Sequence, residues 1–194
     1  MLSKKQQFIK RLFDILLAVI LIPIVSTPLI VLFVGASIDT QSFGLFTHKR
    51  VGKEAKLFTL FKLKTMRLLG NGTLVTSNFG KLLRRTKLDE LPQIFNIILG
   101  EMSFVGPRPD IMGYADKLQG EEKLILSVRP GLTGPATIKF SNEEALLSRQ
   151  ENPLEYNDTV IWPQKVEINL DYVRHWNFMK DLRYLWFTIK QLLH

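Results

Sequence analysis

The run Ile15-Leu-Leu-Ala-Val-Ile-Leu-Ile-Pro23-Ile-Val-Ser26-Thr27-Pro28-Leu-Ile-Val-Leu-Phe-Val-Gly-Ala-Ser-Ile38 decides the fold of this chain, because no residue in it is charged. At 1.5 Å per residue a straight helix over this run is roughly 36 Å long, enough to cross a bilayer core of about 30 Å. No small-residue cleavage site follows a short apolar region, so the run reads as an anchor rather than a removable leader. Two features argue against a simple span. Pro23 and Pro28 each remove an intrahelical hydrogen bond and crowd the preceding turn, which predicts a break or sharp kink. Ser26 and Thr27 supply hydroxyls for the freed carbonyls. Both flanks are also basic, with Lys4, Lys5, Lys10 and Arg11 before the run and Lys49, Arg50, Lys53 and Lys56 after it. Basic flanks favour the cytoplasmic side. A helix that enters, breaks at Ser26, Thr27 and Pro28, and returns to the same face satisfies both features. Residues 1–39 therefore read as a re-entrant helix-break-helix anchor, and residues 40–194 as one domain on the face it returns to.

The 194 residues suffice for one domain with a core. A net charge of +8 points to an anionic partner: nucleic acid, anionic lipid or a phosphorylated substrate. No nucleic-acid motif accompanies that charge, so nucleic acid is not expected. The absence of cysteine excludes disulfides and thiolate metal sites.

Beyond the anchor, Lys56 to Met66 reads as a strand or hairpin arm, from its β-branched and aromatic content. Leu68 to Asn78 is a turn-rich loop with Gly70-Asn71-Gly72 at its tip. Phe79 to Arg85 and Leu91 to Leu99 read as short helices, the second closed by Gly100. Asn142 to Pro163 is polar and acidic, a solvated segment with some helix. Phe178 to Leu193 repeats apolar residues at i, i+3, i+4 and i+7. Trp176, Tyr184 and Trp186 beside Arg183 and Lys190 suit a membrane interface. The fold class is thus mainly α with a small β-hairpin, an α+β membrane-associated monotopic protein with amphipathic interfacial helices.

The chemistry concentrates between Lys81 and Pro109. Asp89 and Glu90 form a carboxylate pair among Lys81, Arg84, Arg85, Lys87 and Arg108. Carboxylates hold a divalent cation or attack phosphorus, and guanidiniums neutralise phosphate oxygens. An Asp before an apolar helix also serves as a plain helix cap. Gly106-Pro107-Arg108-Pro109 stiffens the backbone around one arginine. Arg129-Pro130-Gly131-Leu132-Thr133-Gly134 repeats the device, with glycines that allow close approach to a ligand.

At these residues the chain resembles the bacterial sugar transferases known as monotopic polyprenyl-phosphate phosphoglycosyl transferases, in their small form. The resemblance runs from Arg11-Leu12-Phe13-Asp14 through Lys62-Leu63-Lys64-Thr65-Met66 and Leu88-Asp89-Glu90-Leu91-Pro92-Gln93. It continues through Gly100 to Pro109 and Arg129 to Gly134 as far as Asp171-Tyr172-Val173. It implies transfer of a sugar-1-phosphate from a UDP-sugar to polyprenyl (undecaprenyl) phosphate, giving polyprenyl-diphosphate-sugar and UMP. That is the first membrane step in building a polysaccharide or glycoprotein glycan. It assigns Asp89 as the nucleophile that carries the phosphosugar, Glu90 as its catalytic partner, and both as ligands of Mg2+. Lys62, Arg84, Arg108, Arg129, Gln93 and Arg50 carry over as substrate- and phosphate-binding residues. The implied setting is the cytoplasmic face of the bacterial inner membrane, among inner-membrane lipids, with a homo-oligomer left open. Lys64 stands where the family often has arginine, which puts any bidentate role there in doubt. Two other readings remain: a peripheral binder of anionic lipid, which would release no UMP, and a metal-dependent phosphohydrolase, whose acceptor would be water.

Overall fold

The computed structural model describes residues 2–193. Ser3 opens α1 (Lys4–Thr40) with a reciprocal cap: its hydroxyl accepts from the Gln6 N–H while the Gln6 side chain accepts from the Ser3 N–H. The helix runs uninterrupted through Pro23 and Pro28, so the expected gap at Ser26, Thr27 and Pro28 is not there. Each proline removes only its own N–H donor, and the remaining ladder of a long aliphatic run carries the helix on. Ser26 donates its hydroxyl to the Pro23 carbonyl at 3.2 Å. Among the described residues, α1 is the one helix long and apolar enough to cross a membrane.

A single stripe of α1, including Lys10, Asp14, Ala18, Ala36 and Thr40, is buried against the rest of the protein. Ile20, Ile24, Ile30, Val31 and Ile38 are exposed. Both ends of the helix are tied to the same body. Near the start, Arg11 donates to the Ile97 and Ile98 carbonyls at 2.6 and 2.9 Å. Asp14 accepts from the Phe104 N–H and the Ser103 hydroxyl, both at 3.0 Å. Near the finish, the Gly44 N–H donates to the Ser37 hydroxyl at 3.0 Å and the Ser77 hydroxyl donates to Asp39 at 2.6 Å.

After α1, β1 (Leu45–Val51) pairs antiparallel with β2 (Leu57–Leu63), Leu45 opposite Leu63. The arm expected over Lys56 to Met66 is β2. Its partner was read only as a basic flank, because Thr47, His48 and Lys49 face solvent and mask the strand pattern. β3 (Met66–Leu68) and β4 (Leu74–Thr76) form a second hairpin around the Gly70-Asn71-Gly72 tip. Ser77 caps α2 (Asn78–Arg85). Gly100, at φ +83°, closes α3 (Gln93–Leu99).

β5 (Ser103–Val105) and β6 (Gly131–Thr133) form a parallel pair. A Cβ on Gly131 would lie 2.1 Å from the Gly106 nitrogen, and one on Gly134 would lie 2.2 Å from the Gly106 oxygen. These glycines let two chain segments touch, which corrects the expectation that they open the backbone to a ligand. The remaining helices are α4 (Pro135–Lys139), α5 (Glu143–Leu147), α6 (Pro153–Tyr156), α7 (Trp162–Arg174) and α8 (Phe178–Leu193). Among the described residues the architecture is mostly helical with three two-stranded sheets rather than one hairpin.

The main core joins α1, β2, α3, β5 and α7 through residues such as Ala18, Leu60, Ile97, Phe104 and Val173. α8 turns Phe178, Tyr184 and Leu185 toward this core. It leaves Met179, Trp186, Phe187, Ile189 and Leu192 exposed, so the apolar repeat read from sequence divides between two faces. Trp176 is buried rather than interfacial, because its indole N–H donates to Asp181 at 3.0 Å. Lys10 is likewise no free flank cation: it is buried against Asp181 at 2.6 Å.

Candidate active site

Lys87 adopts the left-handed conformation at φ +57° and starts a short 3₁₀ turn, Leu88–Glu90. Leu88 packs against the cluster of Ala36, Leu63 and Leu83. Held by that apolar foot, the turn brings Asp89 and Glu90 against β2, and each is only 5% exposed. The expectation of a helix-end carboxylate pair is met one turn ahead of α3.

Asn96 fixes β2 against α3, the helix that follows this turn. Its amide donates to the Thr59 carbonyl and to Glu101, each at 2.7 Å, and its oxygen accepts from the Phe61 N–H at 3.1 Å. These bonds pin the strand on both sides of Thr59–Phe61 and set Lys62 over the carboxylates. Sequence reading passed over Asn96; its signal was one polar residue inside Ile94-Phe95-Asn96-Ile97-Ile98.

The Lys62 ammonium lies 2.8 Å from Glu90 and 3.7 Å from Asp89. Arg108, aimed by its flanking prolines, donates to the same Glu90 oxygen at 2.6 Å. The two carboxylates therefore differ in character. Burial drives the Glu90 carboxyl upward, but Arg108 and Lys62 outweigh it and hold it down at about 2. Burial raises the Asp89 carboxyl, with Lys62 opposing and the charge of Glu90 adding to the rise. One Asp89 oxygen, Oδ1, is buried with no hydrogen-bond partner. Glu90 is thus an ionised hub with one oxygen shared by two cations, and Asp89 a more basic carboxylate with one oxygen that has no hydrogen-bond partner.

Arg50 joins the cluster from β1. Burial and the adjacent Arg108 make its charge costly, while Asp110 and Glu90 compensate. Its Nε is buried without a partner, a donor free for an anion. Arg84 donates to the Thr65 hydroxyl at 3.3 Å and approaches Glu144 at 3.6 Å. Gln93 is buried in the first turn of α3. Arg129 is not with them: it donates to the Gly100 carbonyl at 2.6 Å, beside Arg11. Its backbone lies close to the Arg108 loop, since the Gly131 N–H donates to the Pro107 carbonyl at 2.7 Å, but its side chain is taken up by Gly100 instead of the carboxylates.

Sequence reasoning also missed Asp110 and Lys165. Asp110 sits among Lys165, Arg50, Arg108 and Glu143, and burial outweighs the cations to raise its carboxyl to about 6. A carboxyl raised from 3.8 to about 6 on folding favours the folded state fully below pH 4, and that contribution is lost as pH rises through 6. Asp110→Asn should therefore lack this decline and gain up to about 3 kcal/mol relative to wild type above pH 7. Melting temperatures of the two proteins compared from pH 4 to 8 check this; parallel curves would contradict it.

The residues also bear on a divalent cation. Among the described residues no three His, Cys, Asp or Glu side chains converge. Mg2+ commonly takes one or two carboxylates together with waters and substrate phosphates. The unpartnered Asp89 oxygen fits that pattern, while the Glu90 oxygen nearest the cluster is taken up by Lys62 and Arg108.

A long apolar anchor beside a buried carboxylate pair and a surplus of cations defines a protein built to meet anionic ligands next to an apolar phase. The chain belongs to the bacterial sugar transferase family, whose profile matches residues 5–194. It is 33% identical to the uncharacterized sugar transferase EpsL of Bacillus subtilis, covering 95% of this chain and 87% of that protein. It is 30% identical to the UDP-glucose:undecaprenyl-phosphate glucose-1-phosphate transferase of Escherichia coli, over 97% of this chain and 41% of that one. Against the undecaprenyl-phosphate galactose phosphotransferase of Salmonella typhimurium the identity is 27%, over 98% of this chain and 42% of that one. The chain thus spans less than half the length of these two relatives.

Proposed function

We propose that the protein transfers a sugar-1-phosphate from a UDP-sugar to polyprenyl phosphate in two steps through Asp89. In the first, an Asp89 oxygen attacks the sugar-bearing phosphorus, the bond to the bridging oxygen breaks, and UMP leaves. In the second, an oxygen of polyprenyl phosphate attacks the same phosphorus and frees the Asp89 carboxylate. The products are polyprenyl-diphosphate-sugar and the restored enzyme. The observation that carries this reading is the asymmetry of the pair: an Asp89 whose carboxyl burial raises and whose Oδ1 has no hydrogen-bond partner, beside a Glu90 held ionised by Lys62 and Arg108. Carboxylate nucleophiles form acyl phosphates, and placed cations stabilise the phosphoryl charge. Lys62, Arg108 and Arg50 are the cations that stand at the pair. Mg2+ held through Asp89 would neutralise diphosphate oxygens and ease departure of UMP.

The same proposal sets the chain on one side of a membrane, with residues 1–39 as a re-entrant anchor that bends at its prolines without a gap in the helix, and 40–194 as the catalytic domain at the cytoplasmic face of the bacterial inner membrane. Its support is that both ends of α1 hydrogen-bond one polar body, at Ile97–Phe104 and at Gly44–Ser77. A straight span would carry part of that body into hydrocarbon, where its polar groups go unsatisfied.

The test is UMP release by the purified full-length protein with Mg2+. Without acceptor, one equivalent of UMP per enzyme is expected and then a halt; added polyprenyl phosphate should restart turnover. Continuous release without acceptor would make it a phosphohydrolase, and no release from UDP-glucose, UDP-galactose or their N-acetyl forms would overturn the proposal.

A further inference from the structure

Asp110 stands next to the phosphate-binding cations and takes no part in the transfer proposed above. The Val51 N–H donates to its carbonyl at 2.9 Å, which ties the end of β1 to the Pro-Arg-Pro loop and sets Asp110 beside Arg50. Its side chain is partly exposed, and Lys165, Arg50, Arg108 and Glu143 surround it. Lys165, the strongest of the cations acting on it, is already paired with Glu143 at 2.7 Å. Among the described residues the Asp110 carboxylate has no hydrogen bond and no ion pair of its own. It is an acceptor without a donor.

Asp110 extends the site along one face of the first hairpin. Lys62 is opposite Phe46, and Phe46, His48 and Arg50 alternate onto that same face. Four residues of strand, roughly 13 Å, separate Arg50 from the position opposite Lys62. Charged side chains fill the interval. Lys62 meets Asp89 and Glu90, Arg108 meets Glu90 at 2.6 Å, and Arg50 feels the charges of Glu90, Arg108 and Asp110. The order along the face is therefore nucleophile, cations, second carboxylate.

A nucleoside diphosphate carries the complementary order: the attacked phosphorus, the diphosphate anions, then the hydroxyl donors of ribose. In an in-line displacement the leaving oxygen departs opposite the attacking one. UMP then extends away from Asp89 across the cations, while the sugar is carried to the side. An ionised carboxylate only accepts, and it takes a pair of hydroxyl donors well. An acid that accepts from ribose in dinucleotide-binding folds uses the same chemistry. A divalent cation is a poor occupant here, because three cations already surround the group.

We infer that Asp110 accepts hydrogen bonds from the ribose hydroxyls of the UDP-sugar, with the unpartnered Arg50 Nε donating to the diphosphate between it and Asp89. The inference rests on the phosphosugar transfer proposed above and identifies the nucleoside end of that site. Asp110 selects the ribonucleotide and has no part in the bond changes.

Calorimetric titration of the full-length protein in detergent with Mg2+ tests this by comparing UDP with 2′,3′-dideoxy-UDP. Wild type should bind UDP about tenfold or more tighter, the scale of hydrogen bonds to a charged group. Asp110→Ala should bind both nucleotides alike, at the wild-type affinity for the dideoxy form. Asp110→Asn, expected to be more stable than wild type above pH 7, keeps a neutral acceptor and should show a smaller preference. Equal binding of the two nucleotides by wild type would overturn the inference, and so would an undiminished preference in the variants. A changed ranking of UDP-sugars in Asp110→Ala with the diol preference intact would overturn it too, and place Asp110 at the sugar. A protein that prefers UDP through Asp110 yet releases no UMP would sink the proposed reaction and keep this assignment. UMP release without any diol preference would do the reverse.

Discussion

Asp89→Asn should abolish UMP release and polyprenyl-diphosphate-sugar formation, by at least about 10³-fold, and leave no covalent phosphosugar on the protein. The amide presents no ionised oxygen to phosphorus, and the neighbouring carboxylate does not replace it. Glu90 already accepts from Lys62 and Arg108 and is held at about 2, so it is the weaker nucleophile of the two. The fold should survive, and this separates a chemical role from a structural one. Burial opposes the Asp89 charge, and Oδ1 makes no hydrogen bond, so a neutral amide is the easier group to bury there. The melting temperature of Asp89→Asn should equal or exceed that of wild type. Glu90→Gln should behave oppositely. It removes the charge that holds Lys62 and Arg108 together, and activity and melting temperature should fall in step. Covalent labelling from a radiolabelled UDP-sugar, read by intact-protein mass, checks both variants. A labelled Asp89→Asn protein, or one unfolded at the temperature where wild type is native, would contradict the assignment.

The carboxylates and the arginine between two prolines were legible because rigid, charged, closely spaced residues declare themselves locally. The chain order alone placed Asp89 ahead of a helix that ends at Gly100, and the structure agrees. What stayed hidden depends on distance along the chain. Arg129 resembles Arg108 in its Pro-flanked setting and lies near it in backbone, yet its side chain donates to the Gly100 carbonyl while that of Arg108 donates to Glu90. Asp110 and Lys165 are 55 positions apart and meet only after α7 folds back. Asn96 looked like an interruption in an apolar helix and is the bolt between that helix and β2. The two prolines of α1 do not interrupt it, because propensity is local and the helix is held along its length by packing at Ala18, Ala36 and their neighbours. Lys10 and Trp176 were read as surface anchors, since sequence shows side-chain chemistry and not the buried acid that both of them meet.

That acid, Asp181, gives the second large effect. Its carboxylate is 1% exposed and accepts from the Lys10 ammonium at 2.6 Å, the Tyr172 hydroxyl at 2.8 Å and the Trp176 indole at 3.0 Å. The group joins α1, α7 and α8, so it fixes the amphipathic C-terminal helix against the anchor. Asp181→Ala leaves the buried Lys10 ammonium with only the more distant Asp14 as counter-charge, the Trp176 indole without its acceptor, and Tyr172 with only its long bond to the Val105 carbonyl. The expected loss is about 3–5 kcal/mol, the range for breaking a buried ion pair from one side. Thermal unfolding in detergent, followed by the fluorescence of Trp176 among the three tryptophans, should show it as a fall of many degrees. Asp181→Asn retains one acceptor oxygen, for either Tyr172 or Trp176, and should lose less. The double variant Lys10→Met with Asp181→Leu removes both charges at once, and hydrophobic replacements of buried pairs are often neutral or stabilising. Recovery of most of the lost stability in that variant would show that the pair selects how α8 meets α1 rather than supplying net stability. A loss below about 1 kcal/mol in Asp181→Ala would mean that water reaches Lys10, and the buried junction between anchor and C-terminal helix would have to be redrawn.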